Sequence, residues 1–525
     1  MYKLMDPNFL PRDWLINTTT PTHLVFAYFI YFLSFLGSLP LITIALHFSL
    51  YVAFAVAIYL INDLIYEQPF IPFLISISVI QLLIANYRVL SIGFLRSDFN
   101  PHAIACVLII LGITALLYEK YLTTGIFLGI AGLMHGNFLV LIPFLMLPLL
   151  LKNLDKFTLK DALKVIIPFI LISLPTIFFI FKNFMFSDTG STQSHTTTLL
   201  FGSGHHYLPY RWWGGNTVFL LFLGILLLGV NGYTIRKPEK RPVKIFNDII
   251  LIIACLVFIS YFCTTTVLII PIMQLLLPRL GAFALVLCLI LYGGAMADII
   301  LKPNQTLKDN RKEVYLLVLT MLVIMLAKPY AFRKMFYMLI AYLVPAALNL
   351  FLNKKKVDEK SNWVKAATVA GILFIMSNNA LAGFHRTVYE NKPAGPYREI
   401  YTWARKHTKE TDLFIVPYWL VDGLRLRARR SIVIDLYCPV DQRQVPEWFR
   451  RLMMICGIKK DDPKPDYYKD PMLIAGYRSM DNERVKKLVE EFKANYLIVE
   501  RLEHTGNLDN LEKVFTGEMF LIYKL

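Results

Sequence analysis

Side chains that could bind an anion are concentrated in one polar segment between two long hydrophobic runs. The segment extends from Ser187 to Asn216 and contains His195, His205, His206 and Arg211. Arginine and histidine donate hydrogen bonds to phosphate and carboxylate groups. A connection of roughly 30 residues without a secondary-structure pattern is usually functional or disordered. The segment is therefore a candidate anion-binding loop.

The same segment carries aromatic residues of the kind that settle at the boundary between a membrane and water. We interpret residues 184–216 as an interfacial loop over a membrane-embedded cavity. The alternative is a solvated connector whose histidines have no function. The aromatic residues are Tyr207, Tyr210, Trp212 and Trp213.

Further polar residues interrupt the apolar runs. Arg279 stands in QLLLPRLGAF, and His135 begins a polar triplet with Gly136 and Asn137. An arginine in such a run pairs with a carboxylate or a phosphate, or extends to the membrane surface. We predict that Arg279 binds an anion and that His135 and His102 line the cavity. For single histidines on apolar helices, a structural role is the alternative.

The chain opens with a polar segment, residues 1–23, that contains the carboxylates Asp6 and Asp13. Its prolines disfavour a regular helix. These carboxylates belong to the set of polar residues that could form a site on one face of the membrane. The alternative is that both residues are part of a solvated tail.

Composition places the chain among multi-pass membrane proteins. Of 525 residues, 56% are hydrophobic and 17% are charged, and the mean hydropathy is +0.53. The net charge of +17 arises from short basic segments between apolar runs, such as RKPEKRPVK and NKKKVDEK. Positive-inside bias produces this pattern, so nucleic-acid binding is not expected. A disulfide between Cys438 and Cys456 is not indicated, and the other cysteines stand in apolar runs.

Apolar runs predict a polytopic α-helical domain over residues 24–384, with about eleven to thirteen spans of roughly 20 residues or fewer. Leu24–Tyr66 is long enough for two helices that turn near Pro40, and Thr123–Leu151 for two short helices that meet at the His135 triplet. The other predicted spans are Phe70–Leu90, His102–Leu117, Val165–Phe181, Thr217–Tyr233, Ile249–Phe262, Thr266–Leu277, Gly281–Leu301, Val314–Ala327, Phe336–Leu352 and Ala366–Leu381.

Residues 385–525 differ in character from the rest of the chain. Short apolar strands (DLFIVPY, RSIVIDL and ANYLIVE) alternate with amphipathic helices (PYREIYTWARKH and NERVKKLVEEFK). This pattern predicts a small α/β domain. The four lysines between Lys152 and Lys164 and the later basic segments are predicted to be cytoplasmic. The histidine loop and the α/β domain are then predicted on the opposite, extracytoplasmic face.

The sequence gives no local support for a hydrolase, an ATPase or a zinc protease. The sequence offers no CxxC pair, P-loop, HExxH or GxSxG motif in such a context. Two non-enzymatic interpretations stay open. One is a transporter or flippase, for which inverted repeats would be expected, and the other is a scaffold that displays the α/β domain.

Several short motifs together resemble a group of bacterial multi-pass proteins that are similar to C-type (GT-C fold) glycosyltransferases. They are the acidic D-P-x-x-x-P-x-D segment before an apolar span, the H-G break after GIFLGIAGLM, the HHYLPYRW loop, and the tail with YTWARKHTKETDLFIVPY, RSIVIDLYCPV and EWFRRL. The resemblance extends over nearly the whole chain.

The resemblance implies a sugar transfer from a polyprenyl-phosphate-linked donor to an extracytoplasmic glycan, lipid or protein acceptor at the bacterial cytoplasmic membrane. Asp13 and Asp6 are the positions that match the catalytic acidic loop. Arg279, Arg211, His205 and His206 would bind the donor phosphate. A divalent cation, Mg or Mn, is an open alternative as a cofactor.

Overall fold

The computed structural model describes residues 6–18, 23–83, 99–151, 158–181, 241–301 and 396–525, with short gaps in the last two ranges, and a few isolated positions. His195, His205, His206 and Arg211 lie outside the described residues. So do the predicted spans Thr217–Tyr233, Val314–Ala327, Phe336–Leu352 and Ala366–Leu381, apart from one position.

The chain divides into two compact units. The helical unit comprises the described residues of 36–178 and 205–384, and the α/β unit comprises those of 1–35, 179–204 and 385–525. Ten helices are assigned within the described part of residues 1–301. They are α1 (Trp14–Thr18), α2 (Leu24–Leu33), α3 (Leu39–Ile65), α4 (Phe70–Leu83), α5 (Pro101–Leu117), α6 (Tyr121–Met134), α7 (Gly136–Leu151), α8 (Leu159–Ile180), α9 (Arg241–Thr265) and α10 (Gly281–Leu301), with a 3-10 turn at Leu277–Leu280.

Four stretches of the described chain are helical, apolar and long enough to cross a membrane: Leu41–Ile65, Leu159–Ile180, Pro242–Thr264 and Leu277–Ala297. Their burial separates two kinds of helix. Of the most apolar window of α10, 94% is buried, against 17% for that of α8. Exposed apolar side chains on α8, such as Leu171 and Phe178, would be unfavourable in water and suit a lipid environment.

Two predicted helix breaks are confirmed. The run Leu24–Tyr66 forms α2 and α3, and Pro40 stands in the first turn of α3, where its missing N–H has no helical partner to lose. The run Thr123–Leu151 forms α6 and α7, which meet at His135. His135 has an extended backbone, with φ −142° and ψ 101°, so the helix is interrupted there.

The prediction of a span at Thr266–Leu277 is wrong. Of its described residues, Thr266, Leu275 and Leu276 lie in turns, only Ile272 and Met273 are α-helical, and Leu276 adopts a left-handed conformation with φ 53°. Pro278 directly follows this stretch, and a proline has no N–H to donate to a helical hydrogen bond. The 3-10 turn instead continues directly into α10.

The α/β unit is built on a five-stranded sheet with the order β2-β1-β3-β5-β4. β1 pairs in parallel with β2 and β3, and β5 is antiparallel to β3 and β4. The strands and helices are α11 (Pro396–His407), β1 (Leu413–Ile415), a π-helical turn (Leu424–Ala428), β2 (Ser431–Ile432), α12 (Val445–Cys456), α13 (Pro471–Arg478), α14 (Asn482–Phe492), β3 (Tyr496–Glu500), β4 (Glu512–Thr516) and β5 (Phe520–Lys524).

Each face of the sheet carries its own core. On one face, α11 packs through Ile400 and Ala404 against Phe414 and Ile498. On the other face, α12, α13 and α14 pack through residues such as Trp448 against the strands. The predicted α/β class is confirmed, and the predicted helix Pro396–His407 has the observed bounds. The analysis of the sequence did not identify β4 and β5.

Candidate functional site

His102 lies at the start of α5 in the helical unit. Asn100 caps this helix, because its side-chain oxygen accepts a hydrogen bond from the N–H of Ala103 at 2.8 Å. Pro101 occupies the first turn, as is usual for helix starts. One turn further along α5, Sγ of Cys106 lies 3.4 Å from Nε2 of His102.

His135 lies beside His102, although 32 residues separate them in the sequence. The two ring centroids are 5.3 Å apart and the rings meet edge to face. Phe138 on α7 packs against both rings, at 5.0 Å from His135 and 5.2 Å from His102. On its other side, Phe138 meets the ring of Phe283 on α10 edge to face at 5.7 Å. His135 itself is buried.

Arg279 stands on the 3-10 turn that precedes α10, and it is half-buried. The turn contacts α7 and α10, which carry Phe138 and Phe283. The guanidinium interacts electrostatically with Cys106, the residue that contacts His102. The structure therefore packs His102 against His135 and places Arg279 within electrostatic range of Cys106, the neighbour of His102. We call His102, His135 and Arg279 the His–Arg cluster.

Helix N-termini surround this cluster. His102 lies in the first turn of α5, His135 stands between the end of α6 and the start of α7, and Arg279 lies two residues before α10. The first turn of a helix carries N–H groups without helical partners and about half a positive charge. Both imidazoles can donate hydrogen bonds in either protonation state, and the arginine is always charged. Together these groups suit an anion in an apolar environment.

Asp13, the predicted base, lies in the α/β unit and is fully buried. Its Oδ2 accepts hydrogen bonds from Nε of Arg425 at 2.7 Å and from the N–H of Ile432 at 3.1 Å. Its Oδ1 accepts from Nη2 of Arg425 at 3.0 Å and from the N–H of Ile16 at 3.1 Å. Asp435 forms a second ion pair with the same guanidinium. The interpretation of Asp13 as a solvated tail residue is wrong, and its predicted catalytic role stays a prediction.

The residues next to Asp13 fasten the same stretch of chain to the α/β unit. Arg12 donates hydrogen bonds to the side chain of Asn495 at 2.8 Å and to the carbonyl of Lys493 at 2.6 Å. The guanidinium of Arg451 lies over the Trp14 ring, 4.9 Å from its centroid. The stretch Asp6–Thr18, here called the N-terminal segment, is therefore an integral part of this unit.

The sequence analysis missed Arg425 and Asp435. The signal that could have found them is the run LRLRARRSIVID, in which a charged arginine and aspartate flank a buried strand. A buried charge of this kind needs a partner. Asp6, the second carboxylate of the acidic motif, is exposed and accepts a hydrogen bond from the N–H of Asn8 at 2.9 Å.

The described residues do not fit a divalent cation. Among them, no three His, Cys, Asp or Glu side chains come together as a metal site. The partners of Asp13 are an arginine and backbone N–H groups, which donate hydrogen bonds and supply no ligand atoms. The electrostatic field of Arg279 likewise disfavours a metal ion beside the two histidines. Mg or Mn dependence stays a prediction.

Residues 395–455 match a family described as a domain of unknown function (DUF6798). The matched stretch includes α11, β1, β2 and the Arg425–Asp435 pair. No curated protein matches the chain. Among solved structures, the chain is similar to the crystal structure of ArnT from Cupriavidus metallidurans bound to undecaprenyl phosphate. The sequence identity is 16% and the TM-score is 0.43, over 96% of this chain and 87% of that one.

Proposed function

We propose that the protein is a membrane glycosyltransferase that takes a sugar from a polyprenyl-phosphate-linked donor. The observation that carries this proposal is the His–Arg cluster, in which an arginine and two histidines lie at three helix N-termini within an apolar helical unit. A charged group in such surroundings is unfavourable unless it has an oppositely charged partner. A lipid phosphate offers an anion that a guanidinium binds through two hydrogen bonds, and it carries a tail compatible with the bilayer.

The chemistry requires little beyond positioning and charge. The acceptor hydroxyl attacks the anomeric carbon of the sugar, the bond between that carbon and the phosphate oxygen breaks, and the phosphate leaves with the electron pair. Negative charge therefore grows on the phosphate in the transition state, where the guanidinium of Arg279 stabilises it. His102 and His135 add hydrogen-bond donors. Arg211, His205 and His206 are proposed to contribute to the same phosphate.

A general base must accept the proton of the attacking hydroxyl group. The resemblance assigns this role to Asp13 or Asp6. Asp6 is exposed, whereas both oxygens of Asp13 are bonded to Arg425 and backbone N–H groups. An acceptor could use Asp13 only after these bonds open. Of the two carboxylates, we therefore assign the proton transfer first to Asp6.

Donor binding tests the cluster directly. Arg279→Lys keeps the charge and loses the planar fork, so affinity for undecaprenyl phosphate should fall by about 1–3 kcal/mol, or about 5- to 150-fold. Arg279→Met should weaken binding further. The measurement is a titration of the purified chain in detergent, with its melting temperature taken without lipid. The exposed Arg501→Met provides a control that loses one arginine elsewhere and should bind normally.

Two outcomes would change the proposal. If Arg279→Met melts much earlier than the natural chain and binds the lipid normally, Arg279 is structural. If the lipid binds but cells lacking the gene accumulate no lipid-linked sugar, the cluster serves transport of a phosphate-bearing lipid rather than sugar transfer. The second measurement is made by extracting lipid-linked sugars from cells with and without the gene.

A further inference from the structure

The α/β unit contains a cavity that plays no part in the site above. Its volume is about 530 Å³. It lies between one side of α11 and the end of β4. The residues that line it include Arg398, Thr402, Trp403, Lys406, His407 and Phe515. This size falls within the range of about 300–1,000 Å³ that is usual for small-molecule sites.

An aromatic surface forms the inner part of the cavity. The ring of Trp403 stacks on His407, with centroids 5.6 Å apart, and meets Phe515 at 5.8 Å. Behind these rings, Tyr496 on β3 contacts Trp403 edge to face at 5.8 Å. Trp403 is half-buried and packs against the core of this sheet face. The aromatic surface is therefore held in place before any ligand arrives.

Glu399 also lines this cavity. Its Oε2 accepts a hydrogen bond from the N–H of Glu518 at 3.1 Å. The adjacent Gly517 has no side chain, and a Cβ there would lie 2.7 Å from the same oxygen and 2.8 Å from the Phe515 ring. A glycine at this position therefore permits the carboxylate and the ring to approach each other.

Charged and hydroxyl groups surround the aromatic surface. Arg398 and Lys406 are exposed cations on α11. Glu399 is the acidic residue among those that line the cavity, and it already accepts a backbone hydrogen bond. Thr402 and Thr516 add hydroxyl groups. The lining thus combines a flat apolar platform, many hydrogen-bonding groups and an excess of positive charge.

We infer that this cavity binds an anionic saccharide, a sugar ring that bears a carboxylate or a phosphate. The C–H face of a pyranose packs on the face of an aromatic ring, and the surface formed by Trp403, His407 and Phe515 offers such rings. Its hydroxyl groups bind Thr402, His407 and the free lone pairs of Glu399. Its anion binds Lys406 and Arg398. The role of this saccharide as the acceptor rests on the proposed function, whereas its binding does not.

Two other ligands fit the lining less well. An anionic membrane surface offers phosphate groups but no pyranose ring to pack on the aromatic surface. A nucleotide polyphosphate carries more negative charge than Arg398 and Lys406 can neutralise while Glu399 is also ionised. Both are included in the test as competing outcomes.

Binding is measured on the full chain in detergent, without any lipid donor, by saturation-transfer NMR. The probes are a disaccharide that contains glucuronate and its neutral glucose counterpart. We expect the acidic probe to bind and the neutral probe to bind at least tenfold more weakly. Lys406→Glu should reduce binding of the acidic probe tenfold or more. Lys409→Glu makes the same charge change at an exposed position outside the cavity and should leave binding unchanged.

A third variant tests the platform. Trp403→Leu should abolish saturation transfer, with the melting temperature showing whether the domain stays folded. Equal binding by Lys406→Glu and Lys409→Glu would overturn the proposal. So would an absence of saccharide binding to the natural chain, or binding of only ATP or of vesicles that contain phosphatidylglycerol. If the acidic saccharide binds but no sugar is ever transferred, the proposed function fails and this binding site remains.

Discussion

At the scale of single residues, the Asp13–Arg425–Asp435 arrangement shows two carboxylates around one buried guanidinium. Charges in such a place are stable only while every partner is present, because an unpaired buried charge is strongly unfavourable. Asp13 also accepts a hydrogen bond from the N–H of Ile432 on β2, which is a strand at the edge of the sheet. The Asp13 carboxylate therefore forms an ion pair with the buried Arg425 and also accepts a hydrogen bond from the backbone of an edge strand.

These contacts predict how Asp13→Asn behaves. The amide oxygen can still accept from Ile432, but the negative charge beside Arg425 is lost. The free energy of unfolding should fall by about 1–3 kcal/mol, since Asp435 retains one ion pair. Thermal melting of the full chain in detergent measures this change. Asp6→Asn, at an exposed position, should melt as the natural chain does.

The same variant separates structural from catalytic use of Asp13. Sugar transfer is assayed at a temperature at which the variant is fully folded. A variant that melts normally and transfers no sugar would contradict the structural account and support the predicted catalytic role. A destabilised variant that is active when folded would leave Asp6 as the base.

At the scale of elements, α6 packs on α8 through a row of glycines. A Cβ at Gly125 would lie 2.4 Å from the carbonyl oxygen of Val165, and one at Gly129 would lie 2.9 Å from Cβ of Ile172. Thr176 adds a hydrogen bond from its hydroxyl to the carbonyl of Leu133 at 2.9 Å. Small residues four positions apart are typical of close helix pairs in membranes. This pairing supports the helix that ends at His135.

A larger residue in this row should separate the two helices. Gly125→Leu places a side chain against the backbone of α8, which cannot retract as a side chain can. Overpacking usually lowers stability by about 1–3 kcal/mol, and a backbone contact should reach the upper end. Thr123→Leu adds a similar side chain on an exposed face of α6 and serves as the control. Equal melting temperatures for the two variants would refute the close contact.

At the scale of the whole molecule, the distribution of basic segments predicts which face of the membrane each part occupies. The predicted topology places both the histidine loop and the α/β unit on the extracytoplasmic side. An anionic glycan on that side could reach the cavity beside Trp403 without crossing the bilayer. The orientation therefore bears on both proposals.

Thiol labelling tests this orientation. In a variant with the six cysteines replaced, single cysteines at Ser203 and at the exposed Lys486 should react with a membrane-impermeant maleimide in intact cells. A cysteine at Lys356, in the basic segment predicted to be cytoplasmic, should react only after lysis. If Lys486→Cys reacted only after lysis, the predicted extracytoplasmic position of the α/β unit would be wrong.

The sequence by itself determined the local elements of this protein. Proline and polar residues set the breaks at Pro40 and His135, because a helix cannot continue without its backbone hydrogen bonds. Alternation of apolar strands with amphipathic helices gave the α/β class. These signals act over a few residues, so they can be recognised in the sequence without knowledge of the fold. β4 was not identified because charged residues and a bulge between Lys513 and Phe515 interrupt its alternation, and β5 is a short apolar run at the end of the chain that was not assigned as a strand.

Only the tertiary structure decided which distant residues meet. Asp13 and Arg425 are 412 positions apart. His102, His135 and Arg279 converge through Cys106 and Phe138, which no spacing in the sequence indicates. The cavity beside Trp403 requires β4 next to α11. Such contacts depend on how buried faces pack together, and packing is a property of the whole chain rather than of any segment.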